Sequence, residues 1–451
     1  MLRLFDTARG QVVPFETREP GKVSMYVCGP TVYAPPHVGH GRQTVVYDVL
    51  RKYLAWSGYE VRHVSNITDI DDQIINRAHD EGTTPEDVAR TYERTWWEVM
   101  DALGLDRPTD VPHATEYVEQ MVALVQELLD RGLAYPTSDG VYLDTSQVEG
   151  YGLLALQSLD SLQAGARVET NDEKRNPIDF ALWKKAKPGE PSWPAPFGDG
   201  RPGWHTECVV MSLDLLGEGF DLHTGGQDLR FPHHENERAQ AVALGRRFAN
   251  HWMHHAFVEV KGEKMSKSLG NVTNLVDLIE QYDPRAFRLL ILRSHYRSPM
   301  DVTPEALADA EAALHRLDTF ARRAAEHVEG GTPSPEALAR FREAMDDDLD
   351  TPKATALLFD LVRRANTALD AHDLATAAPL AAAVREISGA LGLVLQEGSA
   401  AVPDDILALA HERDAARAAK DWARADALRD RIQAAGYVVE DSPGGTQVRP
   451  V

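Results

Sequence analysis

A strand–helix–strand pattern near the N-terminus is the feature that most constrains how this chain folds. Residues 23–28 (VSMYVC) are rich in β-branched and aromatic side chains, which favours a strand, and a Gly-Pro pair ends it. Apolar residues then recur at helical spacing from about residue 39 to 56, and residues 61–64 favour a second strand. Two such strands pair in parallel through a right-handed helical crossover. We therefore predict an α/β fold with a Rossmann-like parallel sheet.

The rest of the chain changes character several times. Short strands and a Pro/Trp/Gly-rich stretch interrupt the α/β pattern, which resumes near residue 220, and amphipathic helices follow from a Thr303-Pro304 helix start. We predict a Rossmann-like domain with an insertion, then a helical bundle and a small α+β C-terminal domain. The predicted boundaries are 1–114 and 201–262 for the two halves of the Rossmann-like domain, 115–200 for the insertion, 263–302 for a loop region, 303–396 for the bundle and 404–451 for the last domain.

Composition excludes some classes of protein. A formal net charge of −23 argues against a general nucleic-acid binder, so any RNA contact must use local basic surface. The N-terminus lacks the apolar core of a signal peptide, and no apolar run reaches the roughly 18 residues of a membrane helix. We therefore expect a cytoplasmic protein without a membrane partner. The two cysteines, Cys28 and Cys208, are then better suited to metal ligation or burial than to a disulfide.

Two short motifs suit nucleotide chemistry. His37-Val38-Gly39-His40 lies between the first strand and its helix, where backbone N–H groups and the helix dipole favour phosphate. Gly39 would let a nucleotide approach the backbone closely. Alone, this motif is better explained by two surface histidines.

The second motif is Lys264-Met265-Ser266-Lys267-Ser268, on a loop after a predicted strand. Its lysines could follow negative charge onto a departing pyrophosphate, although a solvated charged loop explains the pentapeptide equally well. Together and in this order, the two motifs resemble the HIGH and KMSKS signatures of class I aminoacyl-tRNA synthetases, with valine in place of the commoner isoleucine. The chain has no GxxxxGK[ST] phosphate loop. The resemblance implies catalysis by His37, His40, Lys264 and Lys267, and ATP binding by His37, Gly39, His40 and Lys267, with Mg²⁺ accompanying ATP.

Four side chains from three distant segments could bind a metal: Cys28, Cys208, His233 and Glu237. On one helix, the i,i+4 spacing of the last two puts them on the same face. Two thiolates, an imidazole and a carboxylate suit zinc. His234 competes with His233, because it is three residues from Glu237, and spacing alone leaves that choice open.

Longer motifs surround these positions: CGPTVY (28–33), NITDIDD (66–72), PGWHTEC (202–208) and FPHHENE (231–237). These motifs resemble the cysteinyl-tRNA synthetase family, and the resemblance covers nearly the whole chain, including its C-terminal region. The resemblance implies that Cys28, Cys208, His233 and Glu237 hold one zinc ion per chain, which selects the thiolate of cysteine.

A metal would solve a selectivity problem. Cysteine and serine differ by one atom, and a neutral pocket separates such near-isosteres by only about 10–200-fold. Zinc prefers a soft thiolate to a neutral hydroxyl, which could make an editing domain unnecessary. Each residue predicted for the rest of the pocket also fits an ordinary structural role, and Trp204 and Asp228 are favoured because they adjoin the ligand segments. The predicted substrate-binding residues are Gly29, Thr68, Trp204, His223 and Asp228.

The resemblance also implies a monomer whose substrates are L-cysteine, ATP and tRNA(Cys). Residues 263–302 would then contact the tRNA stem, and the last domain would bind the anticodon. Basic and acidic residues alternate there, a pattern that by itself favours a salt-bridged, solvated helix pair, and the resemblance reverses that preference. The predicted anticodon contacts are Arg417, Trp422, Asp426 and Asp441. The other cations of this segment that could bind phosphates are Arg413, Lys420, Arg424, Arg429 and Arg431.

Two other functions compete with this prediction. The cysteine ligase of mycothiol synthesis shares the catalytic domain and cysteine adenylation, but it lacks the terminal anticodon domain, so residues 404–451 favour the synthetase. A non-catalytic zinc protein that binds RNA could lose its phosphate-contacting residues freely, and both signature motifs are intact here.

Overall fold

The computed structural model describes residues 1–155, 172–260, 263–264, 274–328, 330–397, 403–442 and 445–450. The strands are β1 (Arg3–Asp6), β2 (Gln11–Pro14), β3 (Lys22–Val27), β4 (Glu60–Ser65), β5 (Ala134–Pro136), β6 (Gly140–Leu143), β7 (Phe180–Lys185), β8 (Gly200–Pro202), β9 (Leu222–Gly226), β10 (His251–His255), β11 (Val258–Val260), β12 (Glu263–Lys264), β13 (Met300–Asp301), β14 (Tyr437–Ser442) and β15 (Gly445–Pro450). The α-helices are α1 (Val38–Trp56), α2 (Asp72–Glu81), α3 (Pro85–Ala102), α4 (Val118–Asp130), α5 (Trp204–Leu216), α6 (Glu235–Ala243), α7 (Leu275–Gln281), α8 (Pro284–Leu292), α9 (Pro304–His327), α10 (Pro335–Asp346), α11 (Thr351–Asp370), α12 (Leu374–Ala390), α13 (Asp404–Ala418) and α14 (Trp422–Ala434).

A four-stranded parallel sheet, in the order β10-β9-β3-β4, forms the centre of the molecule. Helix α1 connects β3 to β4, so the predicted strand–helix–strand unit and the α/β fold class are confirmed. The chain leaves β3 towards β4 on one side and returns to β9 on the other. Ligands of open α/β sheets bind at the carboxyl ends of strands where the order reverses in this way. This topology predicts a ligand site at the carboxyl ends of β3 and β9.

Local sequence signals explain where the bundle helices begin. Thr303 caps α9 through a hydrogen bond from the Ala306 N–H group, with Pro304 at the first position as predicted. Helix α10 repeats this arrangement with a serine cap and an initial proline. These caps satisfy backbone donors that the helix itself leaves unpaired.

Two hydrophobic cores lie on opposite faces of the parallel sheet. One joins α1 to the helical bundle, as the shared burial of Leu50 and Leu361 shows. The other joins β3 to the insertion, whose strands form an antiparallel sheet in the order β5-β6-β7-β8. The first core therefore makes the bundle continuous with the α/β part of the chain.

The two ends of the chain add smaller units. Strands β1 and β2 form an N-terminal hairpin that the sequence patterns did not reveal, and α13, α14 and the β14–β15 hairpin form the predicted α+β C-terminal unit with its own small core. No helix among the described residues is long and apolar enough to span a membrane.

Candidate metal and substrate site

Four buried side chains converge just beyond the carboxyl end of β3. Cys28 follows that strand, Cys208 lies in α5, and His233 lies in a π-helical turn (Arg230–His234) that leads into α6. Glu237 is in the first turn of α6. Each offers one ligand atom within 4.8 Å of the other three, and their exposures are only 0–3%. The structure thus brings together all four predicted metal ligands.

The spacing of these atoms fits a tetrahedral zinc ion. Two sulfurs at about 2.3 Å from zinc should lie roughly 3.8 Å apart, and a sulfur and an oxygen about 3.5 Å apart. The Cys28 and Cys208 Sγ atoms are 3.8 Å apart, and Cys28 Sγ lies 3.5 Å from Glu237 Oε1. His233 Nε2 is 3.1 Å from the same carboxylate oxygen. The donor set and its dimensions therefore suit zinc, and the cysteines form no disulfide.

A second ligand set shares two members with the first. Cys28 and Glu237 also lie within 4.8 Å of ligand atoms from His223 and His234. However, His234 Nδ1 is 2.8 Å from His254 Nε2, and His223 Nε2 is 2.7 Å from Glu237 Oε2. Only the first set uses both thiols, which are the softer donors.

Burial controls protonation in the cluster. It raises the pKa of the Cys28 thiol well above its usual range, raises that of Cys208, and lowers the pKa of His233 well below its usual range. The two thiols and the His233 imidazole are therefore favoured in their uncharged forms before a cation binds. A metal ion that binds here must displace the thiol protons.

The predicted substrate-binding residues surround this cluster in different ways. Trp204 stacks on His233 with ring centroids 4.0 Å apart, and it remains 37% exposed, as a wall between cluster and solvent would be. Asp228 is exposed, and its carboxylate lies so close to Gly226 that a Cβ added there would collide with Asp228 Oδ1. His223 is fully buried behind Glu237 and contacts that carboxylate.

Gly29 and Thr68 are joined through a residue outside the predictions. The Gly29 N–H group donates to Asn66 Oδ1 at 2.9 Å, and Asn66 Nδ2 donates to Thr68 Oγ1 at 3.2 Å. The Thr68 hydroxyl donates to Glu207 Oε2 at 2.8 Å. Asn66 and Glu207 were both missed, although each lies in a quoted motif, because only their burial and contacts distinguish them from ordinary polar residues.

The histidines of the HVGH motif begin helix α1. His37 is its N-cap, and its Nδ1 accepts hydrogen bonds from the N–H groups of Gly39 (3.1 Å) and His40 (3.4 Å). The His37 N–H group donates to His40 Nδ1, and the two rings stack with centroids 3.8 Å apart. Both imidazoles therefore lie at a helix N-terminus, where anions are favoured.

The described chain beyond the KMSKS motif returns to the start of α1, where the Leu275 N–H group donates to Pro36 O at 2.9 Å. Lys267 lies outside the described residues, and only the backbone of Lys264 is described, in β12.

The predicted anticodon contacts in the C-terminal unit differ in how exposed they are to solvent. Trp422 begins α14 and is 60% exposed, Asp426 is exposed on the same helix, and Arg417 is half-buried on α13. Only the backbone of Asp441 is described, in β14. Arg413 was predicted to be one of the phosphate-binding cations. This prediction was wrong, because the Arg413 side chain is buried and donates a hydrogen bond to Thr446 Oγ1 at 2.7 Å.

Comparison with protein-family models places three matches along the chain. Residues 14–312 match the tRNA synthetases class I (C) catalytic domain, residues 340–396 match the DALR domain, and residues 399–449 match the cysteinyl-tRNA ligase anticodon binding domain. The first match alone covers more than half of the chain.

Individual proteins agree with these matches. The chain is 46% identical to the cysteine–tRNA ligase of Halorhodospira halophila, covering 100% of this chain and 99% of that protein. It is 43% identical to that of Thermotoga maritima, covering 99% of each. Mycobacterium tuberculosis methionyl-tRNA synthetase bound by methionyl-adenylate shares the fold with a TM-score of 0.62 at 16% identity, covering 83% of this chain and 92% of that one. A leucyl-tRNA synthetase of Agrobacterium radiobacter, in a ternary complex with tRNA and LeuAMS, also gives 0.62, at 12% identity and 84% coverage of both.

Proposed function

Because this chain belongs to the cysteine–tRNA ligase family of class I aminoacyl-tRNA synthetases, we propose that it activates L-cysteine with ATP and transfers the cysteinyl group to tRNA(Cys). The observation that carries this proposal is the buried cluster of Cys28, Cys208, His233 and Glu237, in which the Cys28 carbonyl oxygen accepts a hydrogen bond at 2.7 Å from Gln43 Nε2 in the second turn of α1. It combines a thiol-selective site with a phosphate-binding helix end. The match to an anticodon binding domain disfavours the mycothiol-type ligase. The match to a class I catalytic domain and the full-length similarity to cysteine–tRNA ligases disfavour a non-catalytic zinc protein.

Cys28, Cys208, His233 and Glu237 would hold one zinc ion. When bound, zinc supplies a soft Lewis acid that favours a thiolate over a neutral hydroxyl. The two protein thiols, the imidazole and the carboxylate would hold the zinc ion, and the sulfur of the substrate would bind in addition to these four ligands. Trp204 would close the pocket from solvent, and Asp228 would accept a hydrogen bond from the ammonium group. Gly29, Thr68 and His223 complete the proposed pocket.

The carboxylate of cysteine attacks the α-phosphate of ATP, and pyrophosphate leaves. His37 and His40 contribute imidazoles at the N-terminus of α1, and Gly39 allows close approach of the nucleotide. Lys264 and Lys267 would stabilise the charge that develops on the leaving pyrophosphate. Mg²⁺ would accompany ATP. Positioning and electrostatic stabilisation, rather than acid–base catalysis, therefore account for adenylation.

The same proposal extends to tRNA binding by the C-terminal domain and to the oligomeric state and location of the protein. Arg417, Trp422, Asp426 and Asp441 would contact the anticodon, with Trp422 as a stacking platform. We propose that the protein is a monomer in the cytoplasm, where tRNA and ATP are present, with domain boundaries at the positions predicted from its sequence.

The test is metal analysis combined with amino-acid-dependent exchange of pyrophosphate into ATP. Wild-type protein should contain one zinc per chain and support exchange with cysteine but not with serine. Cys208→Ser should lower zinc content and reduce exchange by about 100-fold or more, because one ligand is lost. Ser212→Ala, a buried change on the same helix α5, should alter neither. Full exchange by Cys208→Ser without bound metal would refute the selector role.

A further inference from the structure

Trp96, on helix α3, contacts the HVGH motif at the start of α1 and has no role so far. Its indole meets the His40 imidazole nearly at right angles, with an interplanar angle of 77° and ring centroids 5.5 Å apart. Trp96 is only 6% exposed and lies in the hydrophobic core that also contains Val38 of the motif. The next residue, Trp97, instead donates a hydrogen bond to Glu93 Oε1 on its own helix. Of these two neighbouring indoles, Trp96 is therefore the one that packs against the motif.

Backbone hydrogen bonds determine which nitrogen of each motif histidine carries the proton. His37 Nδ1 accepts from the N–H groups of Gly39 and His40, and His40 Nδ1 accepts from the His37 N–H group at 3.2 Å. A ring nitrogen that accepts a hydrogen bond carries no proton, so this network assigns the proton of each neutral imidazole to Nε2. Both Nε2–H groups are hydrogen-bond donors, and a phosphate oxygen requires a donor.

The orientation of the His40 ring depends on residues from two elements. His37 supplies the hydrogen bond to Nδ1 and a stacked ring, with centroids 3.8 Å apart and an interplanar angle of 18°. Trp96 supplies the near-perpendicular contact from α3. An imidazole on a half-buried residue can otherwise rotate about its side-chain torsions into other rotamers. The indole is thus a wall that restricts where the His40 ring can lie.

We propose that Trp96 is a positioning residue for adenylation, whose indole holds the His40 imidazole in the stacked arrangement that directs its Nε2–H group to ATP. The inference rests on the proposed function, in which His37 and His40 bind ATP. Trp96 acts through His40 and contacts neither substrate in this role. Without the indole, the His40 ring would leave the stack, and a misplaced donor stabilises the transition state less.

Cysteine-dependent exchange of pyrophosphate into ATP by zinc-loaded protein measures this effect. Trp96→Ala should lower kcat about tenfold and leave KM for cysteine within about twofold, because a displaced donor is lost mainly from the transition state. Trp96→Phe keeps an aromatic ring and should recover most of the rate. Met100→Ala is the matched control, since Met100 is buried one turn further along α3 in the same core. It should lower stability towards urea and leave exchange unchanged.

A double-mutant cycle separates positioning from a general effect on the fold. His40→Asn removes the imidazole through which Trp96 is proposed to act. Adding Trp96→Ala to His40→Asn should therefore lower exchange by less than about twofold further. A loss of about tenfold in both backgrounds would mean that Trp96 supports the fold alone, and it would overturn the inference. An unchanged rate in Trp96→Ala would overturn it too.

Nuclear magnetic resonance of protein labelled with ¹⁵N-histidine tests the ring arrangement without any substrate. The His40 signals are identified by their loss in His40→Asn. At pH 8, wild type and Trp96→Phe should show an unprotonated Nδ1 and a protonated Nε2, whereas Trp96→Ala should show a mixture of both tautomers. A single, unchanged tautomer in Trp96→Ala would contradict the positioning role. Failure of the proposed function gives a different result, since wild-type protein would then support no exchange with cysteine while the His40 signals still responded to Trp96→Ala.

Discussion

His63 lies in β4, and both of its ring nitrogens are buried without a hydrogen-bond partner among the described residues. Burial lowers its pKa to about 3, and Arg51 contributes in the same direction. The side chain is therefore neutral in the folded protein at any moderate pH. A buried imidazole without hydrogen-bond partners does not stabilise the folded state.

His63→Leu should reduce the sensitivity of the fold to mild acid. The folded-state pKa lies below the ordinary unfolded value of about 6.5, so the unfolded chain alone takes up this proton as the pH falls towards 5. Stability is therefore present above about pH 6.5 and is lost as the pH falls. The loss at this site between pH 8 and pH 5 is about 2 kcal/mol.

Urea unfolding at pH 8 and pH 5 measures this effect. The difference between the two pH values should be smaller for His63→Leu than for the wild type. His79→Leu is the control, because that side chain is 91% exposed and stays solvated in both states. If His63→Leu and the wild type lost the same stability between pH 8 and pH 5, the lowered pKa of His63 in the folded protein would be contradicted.

At the scale of elements, a buried ion pair joins α1 to α8. Arg288 Nη1 lies 2.7 Å from Asp48 Oδ2, and Lys52 Nζ lies 2.6 Å from the other oxygen. Burial opposes ionisation of Asp48, but Arg288 and Lys52 outweigh it and lower the pKa of the carboxyl. Arg288 also approaches backbone oxygens at the end of α3 and after α12, including Gly104 O at 3.3 Å. The guanidinium group of Arg288 thus connects α1 with the ends of α3 and α12.

Asp48→Asn should destabilise the protein by about 3 kcal/mol, because Arg288 is left buried without its counter-charge. The double change Asp48→Leu with Arg288→Met should recover most of that loss, since no buried charge then remains. Equilibrium urea unfolding of the single and double variants measures the coupling. Glu86→Gln, which breaks an exposed pair with Arg90, is the matched control and should lie within error of the wild type. A negligible effect of Asp48→Asn would show that solvent already screens the pair.

At the scale of the whole molecule, the sites proposed for adenylation and for tRNA binding lie on parts of the chain with different cores. The metal cluster lies between the sheet and the insertion, whereas α13, α14 and their hairpin have a small core of their own around Ile406 and Ile432. Changes on the surface of the C-terminal unit should therefore leave adenylation intact.

Trp422→Ala should separate the two half-reactions. Loss of a stacking surface should lower kcat/KM for aminoacylation about tenfold at limiting tRNA, while cysteine-dependent pyrophosphate exchange stays at the wild-type rate. Leu407→Ala removes a partly exposed apolar side chain from α13 of the same unit and should affect neither reaction. Unchanged aminoacylation by Trp422→Ala would exclude this indole from tRNA binding.

The sequence by itself determined the local features of this protein. The strand–helix–strand unit and the capped start of α9 depend on periodicities and caps that act within a few residues. Spacing alone did not choose between His233 and His234 as the partner of Glu237. The motifs also predicted a metal ligand set, because thiols, imidazole and carboxylate have chemical preferences of their own.

Only the tertiary structure decided which distant residues meet. Cys28 and Cys208 come within 3.8 Å because strand order, not spacing, brings the end of β3 beside α5. The burial of Arg413 and the link from Thr68 to Glu207 likewise depend on how elements pack. Side-chain periodicity carries information along one element, whereas burial and hydrogen-bond partners are set by neighbours far away in the chain, so no local pattern could reveal them.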